Sequence, residues 1–225
     1  MLITALSLPE QVVLTLAALI LLSSFLLLAQ VRLDSLINIF ALQGLLIFFA
    51  TVLMAFISGK YHLLISAALT LLLKVFFIPG QLRLLVIRLD IRREVEVVGN
   101  PSLVMLFAAA LVLFSYYVAM PIRELSLLST RNTIAISLAV VLIGMLMVIS
   151  RRKAVAQVVG FMSMENGLIF AAVVSTYGMP MVVELGIAFD VLVAVILFGV
   201  FFFHIRAEIG SLDTDRLNHL TEVEK

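Results

Sequence analysis

Seven apolar runs, each long enough to cross a lipid bilayer, make up most of this chain. A transmembrane helix needs about 17–25 predominantly apolar residues. Because backbone polar groups must be paired inside the bilayer, such runs form helices. We therefore predict an all-α, polytopic bundle of about seven transmembrane helices, at Gln11–Ala29, Ser35–Ile57, Tyr61–Ile87, Ser102–Ala119, Thr133–Ile149, Ala154–Ser175 and Val182–Phe203.

The composition agrees with a membrane protein and excludes several kinds of site. Hydrophobic residues make up 64% of the chain and charged residues 13%, about half the charged fraction of soluble domains. The sequence has no cysteine, which excludes disulfides, iron–sulfur clusters and thiolate metal sites in this chain. His62, His204 and His219 are too scattered to suggest a metal site. Residues 1–11 lack a basic stretch, so we expect the first run to be a retained helix and not a cleaved signal peptide.

The loops between the runs are short, with one exception. The longest, Arg88–Pro101, is charged and ends in the turn signal Gly99-Asn100-Pro101. We therefore predict an N-terminal three-helix half over residues 1–95, a C-terminal four-helix half over 96–210 and a cytoplasmic tail over 211–225.

Basic residues in the loops predict the orientation, because Lys and Arg are enriched in cytoplasmic loops. One side collects eleven of them, and the other side collects three. The three are Lys60, Arg123 and Arg131, and the eleven are Arg32, Arg83, Arg88, Arg92, Arg93, Arg151, Arg152, Lys153, Arg206, Arg216 and Lys225. We expect the N-terminus outside and the C-terminus in the cytoplasm, for a multi-pass protein of the cell inner membrane.

Ionisable residues lie inside three of the predicted spans. Lys74, Glu165 and Asp190 each lie near the middle of a span. A charged side chain at that depth costs about 2.5–3.5 kcal/mol on insertion scales, so such residues are usually functional. Glu184 lies two residues from the outer end of the last span and is more readily explained as an interfacial residue. His204 follows at the cytoplasmic end of the same span.

Two neighbouring features support a polar site around these residues. Pro79 follows Lys74 in the third span and removes a helical N–H, so we expect a kink there that can line a small polar cavity. Asn166 follows Glu165, on a helix whose Gly160, Ser163 and Gly167 form a face of small residues. The alternative is purely structural: the lysine and the acids pair, or the lysine reaches the interface, and the charges only hold helices together.

A lysine and two acids at equal depth suit proton transfer. Burial disfavours the charged form of each group, whereas their mutual attraction favours it. Between Asp190 and His204 the last span has no polar side chain, so we expect transfer between helices, in the membrane plane. No nucleophile–base pair, phosphate-binding glycine loop or metal-ligand spacing occurs in the sequence. We therefore expect a chain without catalysis of its own.

The last three predicted helices resemble subunit K of respiratory complex I and its small relatives in multisubunit cation/proton antiporters. The residues that carry the resemblance are Arg151-Arg152-Lys153, Gly160, Asn166, an acidic helix and the tail Gly210-Ser211-Leu212-Asp213. In that family a glutamate comes two residues after the glycine, where this chain has Met162. Here the acid is Glu165, one turn further along.

Over most of its length the chain resembles component E of hydrogenase-4, a membrane subunit of formate hydrogenlyase-type complexes. The residues that carry this resemblance are Lys74-Val75 with Pro79, Gly160 with Met164-Glu165-Asn166-Gly167, and Val183-Glu184-Leu185-Gly186-Ile187-Ala188 with Asp190 and Ala194-Val195-Ile196. The resemblance implies a complex-I-like membrane arm with antiporter-like chains, a chain similar to the H-type membrane protein of complex I and a peripheral redox module. It also implies that a nickel–iron (NiFe) centre and iron–sulfur clusters lie in partner subunits, with no cofactor in this chain.

We therefore expect a non-catalytic membrane subunit of a complex-I-like hydrogenase that contributes to proton or cation translocation, surrounded by lipid and not bound to nucleic acid. The predicted relay residues are Glu165, Asp190, Lys74, Glu184 and His204, with Asn166 and Pro79 in support. Two alternatives stay open. The first is a scaffold subunit, of such a complex or of a cation/proton antiporter, whose charges only pair. The second is an independent carrier, against which the short loops and the lack of two matching interrupted helices argue.

Overall fold

The computed structural model describes residues 8–88, 100–120, 128–175, 186, 188–196 and 199, and nearly all of them are helical. Residues 188–196 form the last described helix, which we call α8. The other elements, in chain order, are α1 (Leu8–Ala29), α2 (Leu33–Ser58), α3 (His62–Thr70), a π-helical segment (Leu71–Phe77), α4 (Ile78–Arg88), α5 (Pro101–Ala119), α6 (Leu128–Ser150) and α7 (Ala154–Ser175).

The structure confirms the first six predicted spans as helices. Within the residues that the structure describes, six helices are long and apolar enough to cross a membrane, at Leu8–Ala29, Leu33–Ser58, His62–Ile87, Pro101–Ala119, Asn132–Ser150 and Ala154–Ser175. The seventh predicted span, 182–203, lies partly outside the described residues, and its described part includes α8. The orientation of the termini and the division into halves stay predictions.

The third span has a π-helical middle. The helix runs from α3 through the π-helical segment into α4, where it continues across Pro79. The N–H of Ile78 donates to the carbonyl of Leu73, five residues earlier in place of four. The π-helical stretch therefore ends before Pro79 and has Lys74 at its centre, while the kink expected at the proline stays a prediction.

Helices α6 and α7 approach each other through glycine. A Cβ atom added at Gly144 would lie 2.5 Å from the backbone nitrogen of Met164 and 2.9 Å from the carbonyl oxygen of Gly160. One added at Gly167 would lie 2.9 Å from the backbone nitrogen of Val141. The small-residue face identified in the sequence thus includes two glycines, Gly160 and Gly167, that pack directly against the backbone of α6.

The buried apolar residues form two clusters with a layer of polar residues between them. One cluster includes Leu27, Phe40 and Met162, and the other includes Ile20, Ile47 and Ile169. On each of three helices, one polar residue lies between a residue of the first cluster and a residue of the second. Gln43 has this position on α2, Asn166 on α7 and Ser24 on α1. Each of these three helices therefore carries a buried polar side chain between the two clusters.

Helix α2 has a central position in this arrangement. It packs against α1, α3, the π-helical segment, α4 and α7. Helix α1 in turn packs against α5 and α6. Helices from both predicted halves of the sequence therefore share one core, and the polar layer lies inside it.

Candidate functional site

The centre of the polar layer is the ammonium group of Lys74. Its Nζ lies 3.3 Å from Oε2 of Glu165 on α7 and 3.3 Å from Oδ1 of Asp190 on α8. The two carboxyl oxygens are therefore within twice that distance of each other. The lysine is fully buried, and the two acids are 4% and 1% exposed. One cation and two acids from three helices thus form a single buried cluster, which we call the charge cluster.

A line of hydrogen bonds leads from the charge cluster to α1. Lys74 Nζ donates to Oδ1 of Asn166 at 2.9 Å, and Nδ2 of Asn166 donates to Oε1 of Gln43 at 3.1 Å. Nε2 of Gln43 donates to Oγ of Ser24 at 2.8 Å, and that hydroxyl donates to the carbonyl of Ile20 at 3.1 Å. We call Asn166, Gln43 and Ser24 the polar line.

The polar line slopes toward the end of the bundle where α1 ends and α2 begins. At 1.5 Å of rise per residue, Lys74 lies about 21 Å along the helix from Arg88. By the same measure Gln43 lies about 15 Å from the start of α2, and Ser24 about 8 Å from the end of α1. The line therefore connects the middle of the bundle with a level nearer that end. Transfer between the acids in the membrane plane stays a prediction.

The local fold explains why the lysine reaches this position. In the π-helical segment Lys74 packs against α2 at Gly44, where an added Cβ would lie 3.1 Å from the Lys74 Cβ. A larger residue at 44 would keep the two helices apart. The π-helical geometry and Gly44 together bring the Lys74 backbone close to α2, one residue from Gln43.

A second glycine contact, at Gly186, lies beside the charge cluster. A Cβ added at Gly186 would lie 2.9 Å from Cδ1 of Ile169 and 3.5 Å from Oε1 of Glu165. Asp190 follows Gly186 by four residues, about one helical turn. Gly186, which precedes α8 in the chain, therefore lies beside one acid of the cluster, and α8 supplies the other.

The two acids have few contacts that offset their burial. None of the four carboxyl oxygens of Glu165 and Asp190 has a hydrogen-bond partner among the described residues. Each of the two acids forms an ion pair with Lys74. If both acids were ionised, the cluster would carry a net negative charge in a low-dielectric environment, which is strongly unfavourable. The arrangement therefore favours a cluster in which Lys74 is charged and one of the two acids is protonated.

The structure brings together four of the residues singled out from the sequence. Lys74, Glu165 and Asp190 form the charge cluster, and Asn166 joins it to α2. Glu184 and His204 lie outside the described residues, so their proposed places at the edges of the relay stay predictions. Within the residues that the structure describes, no three His, Cys, Asp or Glu side chains group in a way that could hold a metal ion.

The sequence analysis missed two residues of the polar line. Gln43 and Ser24 are 0% and 1% exposed, and both lie inside apolar runs. The signal that identified Lys74, a polar side chain far from the ends of its span, applies equally to Gln43. Ser24 has no such signal, because a serine inside a membrane helix commonly bonds to its own helix.

Comparisons with known proteins find similarity to curated proteins named as a component of hydrogenase-4. The chain is 27% identical to hydrogenase-4 component E of Escherichia coli strain K12 over 181 residues, which are 80% of this chain and 84% of that protein. The chain is related to hydrogenase-4 component E. The same protein of Shigella flexneri gives the same identity and coverage. The resemblance stated from the sequence is thereby confirmed for component E, whereas the resemblance to subunit K of complex I stays a prediction.

An uncharacterized protein of Mycobacterium tuberculosis is more similar over a shorter stretch. It is 35% identical over 131 residues, and the alignment spans 58% of this chain and 60% of that relative. No family model matches the chain. No solved structure gives a significant match.

Proposed function

We propose that this chain is a non-catalytic membrane subunit of a complex-I-like, formate hydrogenlyase-type hydrogenase and that its charge cluster takes part in proton translocation. One observation carries the proposal: the Lys74 ammonium lies 3.3 Å from a carboxyl oxygen of Glu165 and 3.3 Å from one of Asp190, and these acids are on different helices. A structural ion pair needs one acid. The second acid gives the cluster two ways to pair, with a proton on either Glu165 or Asp190.

This arrangement supports coupling between helices. When Lys74 pairs with one carboxylate, the other is the better place for the proton, and a movement of either acid-bearing helix would change that balance. A charge that arrives from a neighbouring subunit would have the same effect. Asp190 lies on the last described helix and Lys74 in the π-helical segment, so a small displacement of either element changes the cluster.

The relatives support the proposed assembly. Component E is named as part of hydrogenase-4, so we propose that this chain works among other membrane subunits of such a complex, including antiporter-like chains and a chain similar to the H-type membrane protein of complex I. The nickel–iron centre and the iron–sulfur clusters would belong to partner subunits in a peripheral redox module. The transported ion is a proton in this proposal because carboxyl groups carry protons directly.

The test is to remove titration from each acid while keeping its shape. We expect Glu165→Gln and Asp190→Asn to leave the complex assembled and its redox reaction largely intact. Formation of a pH gradient by inverted vesicles should fall by about tenfold or more, because a positioned acid–base group typically contributes at least that factor. Glu10→Gln, an acid in the first turn of α1 and outside the charge cluster, is the matched control.

Redox activity, subunit content and the pH gradient are measured on the same vesicles. A normal gradient in both amide variants refutes the relay. Poor assembly of both amide variants, with the control unaffected, would favour the scaffold alternative. A well-behaved monomer that transports ions alone in liposomes, and that never migrates in a large complex in native gels, would contradict membership of an assembly.

A further inference from the structure

A cavity lies at the end of the bundle, far from the charge cluster. Its volume is about 380 Å³, and it is bounded on part of its surface by the end of α1, the start of α5 and the loop after α6. Its lining includes Leu28, Gln30, Ser102, Met105 and Arg151. All three elements begin or end here, so the cavity is at the level where helix ends meet lipid headgroups.

Arg151 is a buried cation without a matching anion in the described part of the chain. Arg151 is only 2% exposed, and its Nη2 donates a hydrogen bond to the carbonyl of Leu28. Its Nε and Nη1 have no hydrogen-bond partner among the described residues. Burial lowers the pKa of the Arg151 guanidinium, and no described carboxylate opposes that effect. Arginine nevertheless keeps its charge in proteins, so a buried cation that lines the cavity is left without a described counter-ion.

The start of α5 contributes a second feature suited to an anion. Asn100 caps this nineteen-residue helix by accepting a hydrogen bond from the backbone N–H of Ser102 at 3.0 Å. The positive end of the helix dipole therefore faces the region that Ser102 lines. The hydroxyl of Ser102 can donate a further hydrogen bond to a bound oxygen.

The cavity continues into an apolar groove. The groove has a volume of about 570 Å³ and is lined by Leu103, Leu106, Phe107 and Leu146, and it shares Val104 with the cavity. A free phosphate ion would use only the polar part of this space. An amphiphile with an anionic head and an acyl chain would use both parts, with its head at Arg151 and its chain along α5.

We propose that this cavity binds an anionic phospholipid, with the phosphate on Arg151 and Ser102 and an acyl chain in the groove along α5. The guanidinium suits phosphate because its planar set of donors can form two parallel hydrogen bonds. Basic cavities between transmembrane helices are known places for anionic headgroups. The site is independent of the charge cluster and of the proposed ion translocation.

The test uses the purified full chain in a neutral detergent. Its thermal unfolding midpoint is measured with increasing phosphatidylglycerol, with phosphatidylcholine of the same chains, and with inorganic phosphate. We expect phosphatidylglycerol to raise the midpoint and the other two to have little effect. Arg151→Gln should raise the half-saturating phosphatidylglycerol concentration by about tenfold, the equivalent of one lost charge-assisted hydrogen bond. The matched control is Arg152→Gln, which removes the neighbouring, exposed arginine. It should change the half-saturating phosphatidylglycerol concentration by less than about twofold.

A second variant covers the case in which Arg151→Gln does not fold. Val104→Phe keeps the arginine and fills the space that the cavity and the groove share, and it should also weaken phosphatidylglycerol binding. Equal binding by the wild type and both variants would overturn the proposal. Equal stabilisation by inorganic phosphate would identify a phosphate-ion site and overturn the lipid assignment. Subunits that co-purify with the chain from mild detergent extracts are also compared. If Arg151→Gln binds the lipid normally but loses these subunits, the arginine would be assigned to a partner's carboxylate and the proposal would be overturned.

Discussion

Asn166 accepts a hydrogen bond from Lys74 on its amide oxygen, at 2.9 Å, and so links the ammonium to the helix that carries Glu165. The amide nitrogen of Asn166 then donates to Gln43, whose own nitrogen donates to Ser24. Every donor in the line therefore points away from the ammonium. The positive charge of Lys74 favours this one direction, because it repels donors and attracts the amide oxygen.

The first prediction concerns the contact between Asn166 and Gln43. Asn166→Leu leaves the Gln43 oxygen buried without its donor and removes one acceptor from Lys74. We expect the free energy of unfolding to fall by about 1–3 kcal/mol. Gln43→Leu should have a similar effect, and the double variant should cost less than the sum of the two. Asn38→Leu is the control, because Asn38 bonds to Arg83 at an exposed position.

The unfolding free energies are measured by detergent titration of the purified complex, followed by circular dichroism. The control should change by less than about 0.5 kcal/mol. Strict additivity of Asn166→Leu and Gln43→Leu would show that the hydrogen bond contributes nothing to stability. That result would leave the polar line as a set of independent buried groups.

The second prediction separates pairing from transport in the charge cluster. Lys74→Met removes the one cation that faces two acids, and we expect a loss of about 3–5 kcal/mol in stability together with reduced assembly. The triple variant with Glu165→Gln and Asp190→Asn removes all three charges, and neutral replacement of a whole buried ion cluster is often tolerated. It should therefore recover assembly, measured as subunit content, while the pH gradient stays absent. A triple variant that pumps normally would contradict any role of the cluster in transport.

Much of this architecture could be predicted from the sequence because the bilayer imposes a simple rule on length. Six apolar runs became six membrane-length helices, and the depth of Lys74 and Glu165 within their runs identified two members of the cluster. Asp190 was found by the same argument on a helix that the structure describes only in part. In each case the deciding fact is local: the position of one residue within one continuous run.

Other features depend on how helices rotate and pack, which no single run reveals. Lys74 lies close to α2 because Gly44 leaves room for the π-helical segment, and the sequence does not show which helix will meet that glycine. Arg151 was counted with the basic loop residues, although the structure buries it against the carbonyl of Leu28. Its neighbour Arg152 is exposed, and the two adjacent arginines differ only in their tertiary contacts.

The third prediction concerns the orientation of the chain in the membrane. It rests on the count of basic residues, eleven on the predicted cytoplasmic side against three on the other. Reporter fusions after Lys153 and after Lys225 should both report the cytoplasm, and a fusion after Lys60 should report the outside. The measurement is paired enzymatic reporters that are active on opposite sides of the membrane. An external signal after Lys153 or Lys225 would overturn the seven-span topology, since it would place the basic loops on the wrong side.

The fourth prediction concerns the glycine contact between α6 and α7. Alanine at 144 would place its Cβ 2.5 Å from the backbone nitrogen of Met164, so Gly144→Ala must push the two helices apart at a cost of about 1–3 kcal/mol. The control has the opposite sign. Gly80 is helical with no described atom within 4 Å of an added Cβ, so Gly80→Ala should stabilise by up to about 1 kcal/mol through helix propensity. Unfolding free energies of both variants are compared with the wild type. Because both changes add the same methyl group to a helix, equal effects would show that backbone contact at Gly144 does not hold α6 against α7.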